Sequence, residues 1–197
     1  LFASTGGAIY GEQETFPAPE THKTEPVSPY GVAKLACERY LFFYSAVHGI
    51  PYLACRYGNV YGPRQNPHGE AGVIAIFTEK LLRGEQPVIN GDGKQTRDYV
   101  YVGDVARANL AALTSDYCGA LNFGTGRETD VNTLFEHLVR LCRSSVPERH
   151  GPGKPGEQLR SVIDAAAAGR VLGWRPEVSL ADGLRQTVAW FRERVQQ

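Results

Sequence analysis

The chain has 197 residues, 42% hydrophobic and 21% charged, enough for one sizeable domain or one and a half small ones around a buried core. Lys plus Arg and Asp plus Glu each total 21, so no global charge favours nucleic acid or an anionic membrane surface, and an anionic ligand must be held by a few placed cations. Apolar runs such as residues 73–77 fall far short of the roughly 20 residues of a membrane span, and no basic-then-apolar segment opens the chain; a cytoplasmic protein is expected.

Residues 1–4 read as the end of a buried strand, and 8–10 as a short extension after the Gly6-Gly7 turn. The polar stretch 11–28, with three prolines between 17 and 26, predicts an irregular excursion over the surface. Ser28-Pro29 then has the form of an N-cap and a first-turn proline. Val32, Leu35, Ala36, Tyr40, Phe43, Tyr44 and Val47 stand at helical spacing, predicting a helix over 30–48 that Gly49 ends. Residues 52–56 are the next strand, and 70–83, closed by Gly84, the next helix. Short strands are expected at 87–89 and 98–102, on either side of a Gly-Asp-Gly turn at 91–93, then a helix over 104–113. A strand at 120–123 precedes amphipathic helices at 131–142 and 180–195. The Gly- and Pro-rich stretch 147–156 reads as a loop placed to touch ligand.

Four cysteines, at 37, 55, 118 and 142, have no paired spacing, and the five histidines form no ligand pattern with them. Buried reduced thiols are expected, with no metal site. Methionine is absent, and the chain opens directly in the apolar Leu1-Phe2-Ala3, which reads as a piece of a longer protein.

The chemistry concentrates at Tyr30 and Lys34. Four residues apart on a helix, they share one face, so the Lys34 ammonium can sit near the Tyr30 phenol. A phenol is a poor base at neutral pH, but a nearby cation favours its phenolate and makes it a usable acid–base group. A hydroxyl such as Thr5, reaching the same substrate oxygen, would complete the arrangement.

The run Ser28-Pro29-Tyr30-Gly31-Val32-Ala33-Lys34, preceded by Ala3-Ser4-Thr5-Gly6-Gly7-Ala8-Ile9-Tyr10-Gly11, resembles the extended short-chain dehydrogenase/reductase family, and within it the nucleotide-sugar epimerases and dehydratases. Arg56-Tyr57-Gly58-Asn59-Val60-Tyr61-Gly62-Pro63-Arg64 and Arg97-Asp98-Tyr99-Val100-Tyr101-Val102-Gly103-Asp104-Val105 are similar to two further signatures, and Gly173-Trp174-Arg175-Pro176 to the turn before the family's last helix. The resemblance implies an α/β fold: the later part of a Rossmann-type parallel-sheet domain plus a smaller mixed α/β substrate-binding domain. Residues 1–62 would belong to the first and 63–197 mainly to the second, with about 98–125 returning to the Rossmann domain. The glycine-rich loop for the cofactor pyrophosphate is expected upstream of this chain; Gly124-Thr125-Gly126 reads as a turn, and Gly93-Lys94-Gln95-Thr96 does not match a P-loop.

By this resemblance Tyr30 is the acid–base residue, Lys34 holds the nicotinamide ribose of NAD, and Thr5, preferred over Ser4, bonds the reacting hydroxyl. Tyr57 and Val60 join Tyr30 and Lys34 around the cofactor. Asn59 binds the sugar nucleotide, Arg97 pairs with its diphosphate, and Glu157 meets the nucleotide ribose, with Lys154 where many relatives have arginine. Tyr99 and Tyr101 read as packing. Relatives that remove water across C5 and C6 usually follow the threonine with an Asp-Glu pair, and many decarboxylating relatives have an acid two residues after it; here stand Gly6 and Gly7. The resemblance therefore implies 4-epimerisation of a UDP-sugar of the UDP-glucose/UDP-galactose type through a transient 4-keto intermediate. Ser161, near a position where a bulky residue excludes N-acetylated substrates in some relatives, would admit those too. A 4,6-dehydratase, a glucuronate 4-epimerase and a non-catalytic nucleotide-sugar-binding module are the alternatives, and a homodimer is expected.

Overall fold

The computed structural model describes residues 1–68, 72–153 and 158–195. It begins with β1 (Phe2–Thr5), α1 (Pro29–His48), β2 (Leu53–Tyr57), β3 (Asn59–Tyr61) and α2 (Val73–Leu82). Then come β4 (Ile89–Asn90), β5 (Thr96–Arg97), β6 (Tyr99–Tyr101), α3 (Val102–Leu113) and β7 (Gly119–Phe123). The chain continues through β8 (Thr129–Asp130), α4 (Val131–Cys142), β9 (His150–Gly151), α5 (Ala166–Leu172) and α6 (Leu180–Val195).

β1, β2 and β7 form a parallel sheet in that order, with Ser4 opposite Arg56, Thr5 opposite Tyr57, and Tyr57 opposite Phe123. Parallel neighbours need a crossover, and α1 supplies it between β1 and β2. The strands therefore end together, and residues just beyond their carboxyl ends share one rim, the usual place for ligand in open α/β sheets. Short pairs extend the frame: β3 with β6 and β4 with β9 run parallel, β5 with β8 antiparallel.

Among the described residues the apolar side chains form two large cores and a smaller cluster of Ile9, Tyr10, Ala18 and Ile163. Leu53, Cys55, Leu121 and Phe123 of the sheet pack with Val105 and Ala108 of α3, Ala168 of α5 and Trp174. Ile74 and Phe77 of α2, Leu134, Phe135 and Leu138 of α4, and Leu184 and Val188 of α6 make the second core with Tyr61 and Tyr99. The Trp174 indole N–H donates to Asp104 O at 2.9 Å, while the buried Asp104 carboxylate accepts from the main chain of Glu177 and Val178 at 3.1 Å each. That carboxylate shapes the turn leading into α6.

The helices follow their local signals closely. Ser28 accepts from Gly31 N at 3.1 Å, and Gly49, left-handed at φ 67°, ends α1. The predicted helices over 131–142 and 180–195 occur at those bounds. Four expectations need correction. Residues 6–10 form turns rather than an extension, because Gly6 N and Gly7 N both donate to Tyr57 O. The helix expected over 70–83 is α2, capped at Gly72, with residues 69–71 outside the described set. Of the strand expected over 98–102, Tyr99–Tyr101 form β6, Asp98 lies between β5 and β6, and the last residue starts α3. Within the loop expected over 147–156, His150 and Gly151 form β9; residues 154–156 lie outside the described set. Cys55 and Cys142 are buried free thiols as expected, but Cys37 and Cys118 are exposed. No helix among the described residues is long and apolar enough to cross a membrane.

Candidate active site

Beyond the ends of β1 and β2 lies a cleft of about 380 Å³, lined by Thr5, Gly7 and Ala8, by Tyr30 at the start of α1, by Tyr57, Asn59 and Val60, and by Gln65 and Arg97. Six residues expected at the site thus come together, although they span positions 5 to 97. A second cleft of about 270 Å³ adjoins it, sharing Asn59, Gly72 and Arg97 and running on past Phe77, Asn90, Gln95 and Tyr99. Arg97 stands at the junction, half-buried, with Nη1 donating to Thr96 O at 2.8 Å.

Tyr30 is exposed, with its ring at the mouth of the cleft. One turn on, Lys34 Nζ donates to Ala3 O at 2.9 Å and lies 5.7 Å from the centre of the Tyr30 ring and 5.0 Å from that of Phe2. The ammonium is therefore anchored to β1 beside the phenol, as the four-residue spacing requires.

Ser4 and Thr5 divide their work. Ser4 Oγ donates to the buried Glu38 carboxylate at 2.5 Å, beneath α1. Thr5 Oγ1 lies 3.9 Å from where a Cβ on Gly7 would stand. That same Cβ would come within 3.1 Å of Asn59 Oδ1 and 3.9 Å of Ser161 Oγ. A side chain at Gly7 would thus press on Asn59 and lie in contact with Thr5 and Ser161. At Gly6 there is no space at all: its Cβ would meet Ile163 Cδ1 at 2.6 Å and Arg56 O at 3.2 Å.

The Tyr57 hydroxyl donates to Asn109 on α3, and burial pushes that phenol well above its ordinary range, so Tyr57 borders the cleft as a neutral ring. Asn59 is set by its main chain, whose N–H donates to Asp98 O at 2.6 Å. Asp98 itself turns inward and accepts from Thr125 N, Thr125 Oγ1, Gly126 N and Ile163 N at 2.6–3.3 Å. Burial still raises its carboxyl above the ordinary value, with those hydrogen bonds opposing. The amides of Thr125 and Gly126 are spent on Asp98, in keeping with a turn rather than a phosphate loop. Glu157 and Lys154 lie outside the described residues.

Sequence reasoning missed what lies under α1. Arg56 forks onto Glu38, Nη2 to Oε2 at 2.6 Å and Nε to Oε1 at 3.1 Å, both side chains 8% exposed. Arg56 Nη1 also donates to Tyr10 Oη at 3.0 Å, and Tyr10 Oη to Asn122 Oδ1 at 2.6 Å. Burial alone would lower Arg56, but Glu38 and Tyr10 more than offset it and keep the guanidinium charged. Tyr10 moves up through burial, against the pull of Arg56. The available signal was Glu38 itself, which continues the Tyr30, Lys34 spacing by another four residues. Gln65, whose Nε2 donates to Val60 O at 3.1 Å, gave no such signal.

Comparison with known proteins agrees with this geometry. The profile of the NAD dependent epimerase/dehydratase family matches residues 1–124. UDP-glucose 4-epimerase of Mycolicibacterium smegmatis is 43% identical over 198 residues, covering 100% of this chain and 63% of the relative. The structure of a UDP-glucose 4-epimerase from Thermotoga maritima with UDP-glucose is 50% identical and superposes with a TM-score of 0.96, over 98% of this chain and 63% of that one. A UDP-N-acetylglucosamine 4-epimerase from Methanobrevibacter ruminantium, in complex with UDP-N-acetylmuramic acid, is 36% identical with a TM-score of 0.93, over 98% and 62%. The chain spans less than two thirds of the length of these relatives, and it belongs to the NAD dependent epimerase/dehydratase family.

Proposed function

We propose that the whole protein interconverts UDP-sugars by NAD-dependent 4-epimerisation, of the UDP-glucose/UDP-galactose type. The observation that carries this is the pair of glycines after Thr5, at the mouth of the cleft. Removing water across C5 and C6 needs an added acid and base, and Gly6 and Gly7 supply neither, while a Cβ at Gly6 would already meet Ile163 Cδ1 at 2.6 Å. What remains is a cleft suited to oxidation and reduction at one carbon.

The residues present fit the nicotinamide end of NAD: an exposed phenol, an ammonium anchored beside it, and a wall formed by Tyr57 and Val60. When bound, NAD accepts a hydride from the sugar and gives it back. Tyr30 takes the proton of the 4-hydroxyl as oxidation proceeds and returns it once the ketone has presented its other face. Thr5 holds that oxygen, Lys34 stands beside Tyr30 and bonds the cofactor ribose, Asn59 binds the sugar nucleotide, and Arg97 pairs with its diphosphate where the two clefts meet. The pyrophosphate of NAD is assigned to residues of the longer protein, and Glu157 to the nucleotide ribose. Ser161, small and close to Gly7, leaves room for an acetamido group.

The two large cores, one on the parallel sheet and one among α2, α4 and α6, support a Rossmann part and a substrate-binding part, divided near residue 62. A homodimer is supported by α1, whose outward face is apolar and exposed. A cytoplasmic setting suits the free thiols Cys37 and Cys118 at the surface.

The test supplies full-length protein with UDP-galactose and follows UDP-glucose. Tyr30→Phe is expected to lose about 10³-fold in turnover, in line with the loss of a positioned acid–base group. Undiminished turnover in that variant would overturn the mechanism, and a stable 4-keto-6-deoxy product would overturn the reaction.

A further inference from the structure

Tyr30, Lys34 and Glu38 stand at intervals of four on α1 and so occupy one face. Tyr30 reaches the cleft, Lys34 binds Ala3 O, and Glu38 descends between the helix and the sheet. There its carboxylate meets Ser4, the residue before Thr5, and Arg56, the residue before Tyr57. Ser4 and Arg56 are register partners across β1 and β2. Through Tyr10 and Asn122 the network continues to β7, so one guanidinium ties the crossover helix to all three strands beneath the cleft.

This is an expensive way to hold a helix. Two buried charges must be stripped of water, and their attraction repays that only with good geometry; apolar side chains of similar size commonly hold such a place as well. Yet among the described residues of α1 only Gly31 and Glu38 are fully buried. Apolar packing is non-directional and does not by itself fix a helix along its axis. Short, forked, charge-assisted bonds are directional and do fix it.

We propose that Glu38 and Arg56 are positioning residues of the epimerisation site: their buried ion pair sets the register of α1 against β1, and hence the placement of Tyr30 relative to Thr5. Neither side chain needs to touch substrate or cofactor. The inference rests on the catalytic reading of Tyr30 and Thr5 given above. A shift of a fraction of an ångström between a base and the hydroxyl it serves is felt in the chemical step rather than in binding.

The test uses the full-length, NAD-loaded protein. The double variant Glu38→Met/Arg56→Met removes both charges at nearly constant volume, and Arg56→Lys keeps the charge but loses the fork. The double variant is expected to fold with bound NAD and an unchanged KM for UDP-galactose, with kcat at least about tenfold lower. Arg56→Lys is expected to lose about threefold in kcat, again at constant KM. Reduction of the bound NAD by substrate, read at the nicotinamide absorbance, should slow by the same factors. A folded double variant with wild-type kcat would overturn the proposal, as would a loss that falls on KM. Should the double variant not fold, wild-type kcat in Arg56→Lys overturns it instead. Tyr30→Phe measured alongside separates the two claims: if it retains activity, the catalytic reading has failed, whereas loss there with full kcat in the pair variants removes only the positioning role.

Discussion

Ser4 and Thr5 are adjacent hydroxyls with different surroundings, because a strand turns successive side chains to opposite faces. Both residues border the cleft, but Ser4 is held by Glu38 through a 2.5 Å bond, which favours Thr5 as the hydroxyl proposed for substrate. The motif named both residues, and only the alternation of β1 with the helix above it separates them. Gly7 is the next determinant. With a Cβ position 3.1 Å from Asn59 Oδ1, Gly7→Ala should leave the fold intact but press on the residue proposed to hold the nucleotide and narrow the space in which a ketone must turn. The expected result is a roughly tenfold lower kcat/KM for UDP-galactose, given how steeply rate depends on placement, with unchanged thermal unfolding. A wild-type kcat/KM would show that the sugar does not pass this position.

Among the elements, α1 carries most of the argument. Its sheet-facing side bears Lys34, Leu35 and Glu38, whereas Tyr40, Phe43, Tyr44 and Val47 project outward and are exposed. Apolar residues on both faces of one helix call for two partners. If the outer face covers its counterpart on a second copy, Tyr40→Glu combined with Val47→Glu should convert a dimer into a monomer by sedimentation; a dimer that persists would place the subunit contact elsewhere. Long helices such as α1 and α4 were legible because their caps and periodicity are local: Ser28 and Gly49 bound one, and Asp130, accepting from Thr133 N at 2.8 Å, starts the other. The two-residue strands were not. β4 exists because Ile89 meets His150 and β5 because Thr96 meets Asp130, pairings across long stretches of chain that leave no periodic trace near either partner. Tyr30, Lys34, Thr5, Asn59 and Arg97 were legible as motif positions, while Arg56, inside the same motif, was not read as the partner of Glu38 because that bond exists only once β2 lies beneath α1.

At the scale of the whole molecule, the cleft sits where a three-stranded sheet ends and a helical core begins, with Thr5, Tyr30 and Asn59 on the first side and Arg97 at the boundary with the second. A sugar nucleotide laid across this boundary would place its reacting carbon near Tyr30 and its diphosphate near Arg97. If Tyr30 handles only the proton on oxygen, as proposed, the hydrogen on C4 should leave and return without meeting water. The most direct test is to supply the full-length protein with UDP-galactose carrying deuterium at C4 and to locate the label in the product. The account predicts UDP-glucose with deuterium retained at C4; loss of the label to solvent, or its appearance at another carbon, would contradict it.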